Sequence, residues 1–119
     1  MLLANPPHRM PSTPQTPNGI LALEGEVDLH RAPEIRAALA PLVAQKVPRL
    51  LIDLTKVRYI DSSGLAVLIE TLQRVMAYGG RFGLFGLSDS VRTILHVACL
   101  DQVFRIFPDE ATATAQLPA

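Results

Sequence analysis

The sequence predicts an α/β domain in which a largely parallel sheet alternates with helices. Three observations lead there. Short apolar runs suited to strands recur along the chain, most are followed by a stretch whose apolar residues return every three or four positions, and turn-forming residues separate the two kinds of segment. A strand, helix, strand unit returns through a right-handed crossover, so successive strands lie parallel. The 119 residues make one domain, with no room for a second.

Five of the ten prolines fall between residues 5 and 17, among Ser, Thr, Asn and Gln. Such a stretch lacks amide donors and has little to bury, so residues 1–17 read as a proline-rich arm and residues 18–119 as the domain. Ile20 to Val27 alternates mildly between Gly19 and Asp28 and reads as a strand, with Gly25 at a bulge or close-packing point. Pro33 suits the first turn of a helix, which the stripe Ile35, Leu39, Leu42 and Val43 continues. Pro41 interrupts that stripe at a cost of about 3 kcal/mol, so the helix is expected to kink or to stop near Ala40.

Arg49 to Leu54 is a short apolar run expected to form a strand buried on both faces, with Tyr59 and Ile60 in the connection beyond it. From Ser63 the positions Leu65, Leu68, Ile69, Leu72, Val75 and Met76 trace a helix that ends at Gly79-Gly80. Arg81 to Leu87 gives a third strand. Ser88 or Asp89 then caps a helix with the stripe Val91, Ile94, Leu95 and Ala98, Val103 to Phe107 gives a fourth strand, and a last helix is expected from Asp109.

In a parallel sheet the working surface lies beyond the carboxyl ends of the strands. Asp28 to Arg31, Asp53 to Thr55, Asp61 to Leu65 and Ser88 to Ser90 are the segments expected there. Composition narrows what they do. Eleven basic residues balance eleven acidic ones, and the densest basic cluster is Lys56 with Arg58, so binding to nucleic acid or to an anionic membrane is not expected. No apolar run approaches the length of a membrane span, and a cytoplasmic protein is the expectation. Cys99, the one cysteine, has no disulfide partner and no zinc-ligand spacing around it; it is expected to be a small buried apolar group. No metal or cofactor is expected.

Tyr59-Ile60-Asp61-Ser62-Ser63-Gly64-Leu65 places two hydroxyls on a strand-to-helix turn. Ser62 or Ser63 can cap the helix. Either can also carry a phosphoryl group, because the free amides and the positive end of the helix dipole favour an anion there. A hydrolase reading fails on the missing Gly-x-Ser-x-Gly elbow, and His30 and His96 are not placed as bases. The glycines from Gly79 to Gly86 match no phosphate-binding loop. Asp28 and Asp61 suit surface recognition better than acid–base chemistry.

Leu51-Ile52-Asp53-Leu54 through Asp61-Ser62-Ser63-Gly64-Leu65, preceded by Leu23-Glu24-Gly25-Glu26-Val27-Asp28, resembles the STAS domain of bacterial anti-sigma factor antagonists over residues 19 to about 115. The resemblance implies a mostly parallel sheet of four to five strands, with residues 5–17 standing where the family has its first strand. It implies a non-enzymatic switch that regulates transcription. The unphosphorylated protein sequesters an anti-sigma factor that is also a serine kinase, so a sigma factor is released. The kinase then modifies Ser62, and a PP2C-type phosphatase restores it. Asp28, Asp61, Ser62, Ser63, Gly64 and Leu65 would form the partner-binding surface. The alternative is a STAS subunit of a lipid-transport or stress-signalling assembly that is never phosphorylated.

Overall fold

The computed structural model describes residues 19–117, and the proline-rich arm with any strand it supplies lies outside them. Along the chain run β1 (Ile20–Val27), α1 (Ala32–Ala44), β2 (Arg49–Ile60), α2 (Ser62–Ala77), β3 (Arg81–Phe85), α3 (Asp89–Val97), β4 (Arg105–Phe107) and α4 (Glu110–Gln116). The strands form one sheet in the order β1-β2-β3-β4, every pair parallel. Each neighbour in space is also the next in sequence, so right-handed crossovers carry α1, α2 and α3 to the same face.

Side-chain alternation divides the core accordingly. Leu50, Ile52 and Leu54 of β2 join Leu84 of β3, Ile35 and Leu39 of α1, Val67 and Leu68 of α2 and Leu95 of α3 in the main core. The intervening Leu51 and Phe85 point the other way, where Phe107, Ala113 and Leu117 close a smaller cluster under α4. Arg49 Nη1 donates to the Leu117 carbonyl at 2.9 Å and ties that helix end to β2.

Several elements depart from the sequence-based expectation. Pro41 lies inside α1 without ending it, since the helix continues to Ala44. Burial of Leu39 and Leu42 on either side of the proline holds the helix together across the break. β2 runs six residues beyond Leu54 and takes in Tyr59 and Ile60, because β1 keeps pairing with it as far as Val27 opposite Ile60. The pairing shifts register twice, between Ala22 and Glu24 and between Gly25 and Glu26, each time with one extra residue on β2; Gly25, with φ +77°, stands at the second shift, where a bulge was expected. β3 and β4 are shorter than expected at their ends. The face of α2 turned to the core is set by Gly64, Val67, Leu68, Thr71 and Val75, which leaves Met76 exposed.

Cys99 is exposed rather than buried. It sits just past α3 with φ 60°, and the Leu100 amide donates back to the Leu95 carbonyl at 2.8 Å. That is the left-handed residue of a helix-terminating turn, whose side chain points to solvent.

Candidate functional site

The expected edge is built where β1 and β2 end. Asp61 follows β2, and its amide donates to the Val27 carbonyl at 3.1 Å, which joins the two strand ends. Its side chain caps α2: Oδ1 accepts from the Gly64 amide at 3.0 Å. Oδ2 accepts from the Leu29 amide at 3.1 Å. One carboxylate thus holds both the start of α2 and the loop after β1.

Neither serine is the cap. Ser62 and Ser63 occupy the first turn of α2, where amides have no intrahelical acceptor. Ser62 is exposed, Ser63 half-buried, and neither hydroxyl bonds to any described residue. Gly64 is buried because the turn is pressed against the strand ends. A Cβ there would lie 2.3 Å from the Val27 carbonyl oxygen and 2.9 Å from Ile60 Cγ2. Leu65 is half-buried and packs on the main core.

Asp28 lies on the facing loop, half-buried, and its Oδ1 accepts from the Arg31 amide at 3.1 Å, so it shapes its own turn. Two residues of the expected segment Asp28 to Arg31 complete this loop in roles the sequence did not assign them. Arg31 donates through Nη1 to the carbonyls of Glu24 (2.7 Å) and Glu26 (3.2 Å), the two flanking the Gly25 bulge. Leu29 presents its side chain to solvent. A bulge glycine followed by an arginine six residues later was the available signal for the first; nothing in the sequence marked the second.

The other expected segments divide. Ser88 caps α3 by accepting from the Val91 amide at 3.2 Å, and Ser90 Oγ donates to the Arg58 carbonyl at 3.2 Å, so this turn borders β2 below the site. Asp53 to Thr55 is not at the edge. The extension of β2 leaves it mid-strand, where Asp53 pairs with Phe85 and its Oδ1 accepts from the Thr55 amide at 2.9 Å. His30 lies on the exposed loop, and His96 Nδ1 is 2.8 Å from Asp101 Oδ2 at the opposite end of α3. Among the described residues no group of three His, Cys, Asp or Glu is placed to hold a metal ion, and no helix is long and apolar enough to cross a membrane.

The exposed Ser62 hydroxyl thus stands at the start of a helix capped by Asp61, beside a loop held to the same carboxylate. The STAS domain model matches residues 10–113. The chain belongs to the STAS domain family. It is 32% identical over 88 residues to the anti-sigma-F factor antagonist RsfB of Mycobacterium tuberculosis, covering 74% of this chain and 71% of that one. With the anti-sigma-B factor antagonist of Bacillus subtilis it shares 34% over 84 residues, 71% of this chain and 76% of the relative. The crystal structure of an anti-sigma factor antagonist from Mycobacterium paratuberculosis superposes with a TM-score of 0.77 at 29% identity, over 84% of this chain and 85% of that one. The STAS architecture here is a single domain of four parallel strands and four helices among the described residues.

Proposed function

We propose that this STAS domain is an anti-sigma factor antagonist whose binding is controlled by phosphorylation of Ser62. Unphosphorylated, it sequesters an anti-sigma factor that is also an ATP-dependent serine kinase, and a sigma factor is thereby released in the cytoplasm. The kinase directs Ser62 Oγ at the γ-phosphorus of ATP; the new O–P bond forms as the bond to ADP breaks, and the hydroxyl proton passes to a base on the kinase. A PP2C-type phosphatase hydrolyses the ester and resets the switch. The domain supplies the hydroxyl and the surface, and no catalytic group of its own.

The observation that carries this reading is the spare hydroxyl of Ser62: exposed, unbonded among the described residues, and at the head of a helix that Asp61 already caps. A phosphoryl group of charge about −1.5 to −2 meets a favourable dipole contribution of about 0.3–1 kcal/mol there, set against repulsion from Asp61. Within the fold the two partly cancel. In a complex shaped for a hydroxyl the same group must be dehydrated, and a cost of about 3 kcal/mol is already more than a hundredfold in affinity.

The test is kinase treatment with the host's anti-sigma factor and ATP, site mapping by mass spectrometry, then affinity and melting temperature on the same samples. Ser62 is labelled, Ser63→Ala remains a substrate, Ser62→Ala binds but is not labelled, and Ser62→Asp binds weakly. Labelling of Ser63 alone, or equal affinity before and after modification, refutes the switch. Stable binding with no labelling favours the alternative, an unmodified subunit of a larger assembly.

A further inference from the structure

The loop between β1 and α1 is held from three sides. Arg31 ties it to the bulge carbonyls, Asp28 ties it to its own far end, and Asp61 ties the Leu29 amide to the start of α2. On this fixed loop the Leu29 side chain stands 65% exposed. Exposure alone argues little, since Val97 is 76% exposed at the end of α3. What sets Leu29 apart is that the carboxylate holding its backbone belongs to the residue immediately before Ser62. Any protein that reaches the Ser62 hydroxyl covers the neighbouring ground.

We infer that Leu29 is the apolar anchor through which the anti-sigma factor grips this edge, and that Asp61 is the residue that positions it. The inference rests on the switch proposed above and names its contact. The partner surface it calls for has an apolar pocket for one leucine side chain beside the groups that receive the Ser62 hydroxyl. A leucine whose backbone is already fixed gives up little freedom on docking, so most of the transfer of its side chain from water appears as affinity.

Two measurements decide it. In the isolated domain, amide hydrogen exchange followed by NMR reads the tether directly: Asp61→Asn, which leaves one acceptor oxygen in place of two, raises exchange at Leu29 about tenfold or more. The Arg31 amide, bonded to the Asp28 carbonyl at 3.0 Å, serves as the unchanged reference. With the host's anti-sigma factor as the probe, Leu29→Ala raises KM for phosphorylation of the domain about tenfold or more with kcat unchanged, Leu29→Met restores it, and Val97→Ala alters neither. Melting curves confirm that each variant is folded. Unchanged exchange in Asp61→Asn overturns the positioning role, and unchanged KM in Leu29→Ala overturns the anchor. If the anti-sigma factor binds without labelling Ser62, the switch fails, and the anchor stands or falls on whether Leu29→Ala weakens the Kd of that same complex.

Discussion

Replacing Gly64 by alanine sets two effects of opposite sign against each other. Alanine is the better helix former, by up to about 1 kcal/mol. Yet the added Cβ falls 2.3 Å from the Val27 carbonyl oxygen, 2.7 Å from Val27 Cγ1 and 2.9 Å from Ile60 Cγ2. Ordinary carbon contacts are about 3.5–4.0 Å, so the first turn of α2 must retreat by roughly 1 Å. Val27 and Ile60 are fully buried and have nowhere to go. Overpacking of this kind costs about 1–3 kcal/mol, and the retreat strains the bond from the Asp61 amide to that same Val27 carbonyl. The net expectation is a loss of about 2 kcal/mol, or a melting temperature lower by about 10 °C for a domain of this size. Thermal and urea unfolding followed by circular dichroism measure it. A Gly64→Ala variant that melts at or above the wild type, as helix propensity alone would require, refutes the argument that this turn is jammed against the strand ends.

Three further outcomes follow from the same contacts. Pro41→Ala returns an amide to α1 and a partner to the Ala37 carbonyl, and it should stabilise by about 2 kcal/mol after allowing about 0.4–1 kcal/mol for the freer unfolded chain; an unchanged melting temperature counts against it. Cys99→Gly should stabilise by about 1 kcal/mol because the left-handed φ of 60° is relieved, and a lower melting temperature would show that the thiol contributes packing instead. Hydrogen bonding to Arg36 holds the Glu70 carboxyl below its ordinary range, so the folded state binds that proton less readily than the unfolded chain. The pair therefore contributes stability above the ordinary glutamate pKa and loses it as pH falls through the lower folded value. Melting temperature against pH should decline less on the acid side in Glu70→Gln, by a small amount because both groups are exposed.

The strands, the helices and their order were legible because periods of two and of three to four residues survive in the sequence wherever one face is buried. Element ends were less so. α1, α2 and α3 all finish in the same way, with a left-handed residue and an amide reaching back to the last turn, at Lys46, Gly79 and Cys99. Only Gly79 carries the residue type that announces such an end, which is why the end of α2 was foreseen to within two residues while Cys99 was assigned to the core. The far end of β2 was hidden for another reason: Lys56, Arg58 and Tyr59 give a polar stretch that reads as connection, and pairing with β1 overrides it.

At the site Ser62 and Ser63 read as the candidate caps, but Asp61 just before them is also a capping residue type, and local propensity does not choose among the three. The choice is made by the sheet. Because β2 continues to Ile60 and the Asp61 amide bonds to Val27, Asp61 is fixed one step before the first helical residue, and its carboxylate reaches both Gly64 and Leu29. The serines are thereby relieved of the structural role that the sequence assigned to them. That division of labour predicts a difference in stability. Asp61→Ala removes the cap and should cost about 1–2 kcal/mol, whereas Ser62→Ala removes a hydroxyl bonded to nothing described and should stay within about 0.5 kcal/mol of wild type. Urea titrations of the two variants with a common m-value give both numbers. Were Ser62→Ala the more damaging, the hydroxyl would be part of the fold, and a phosphoryl group placed on it would act by unfolding the turn. With the order predicted here, a phosphoryl group on Ser62 would leave the fold intact, as the proposed switch requires of a charge that acts on binding.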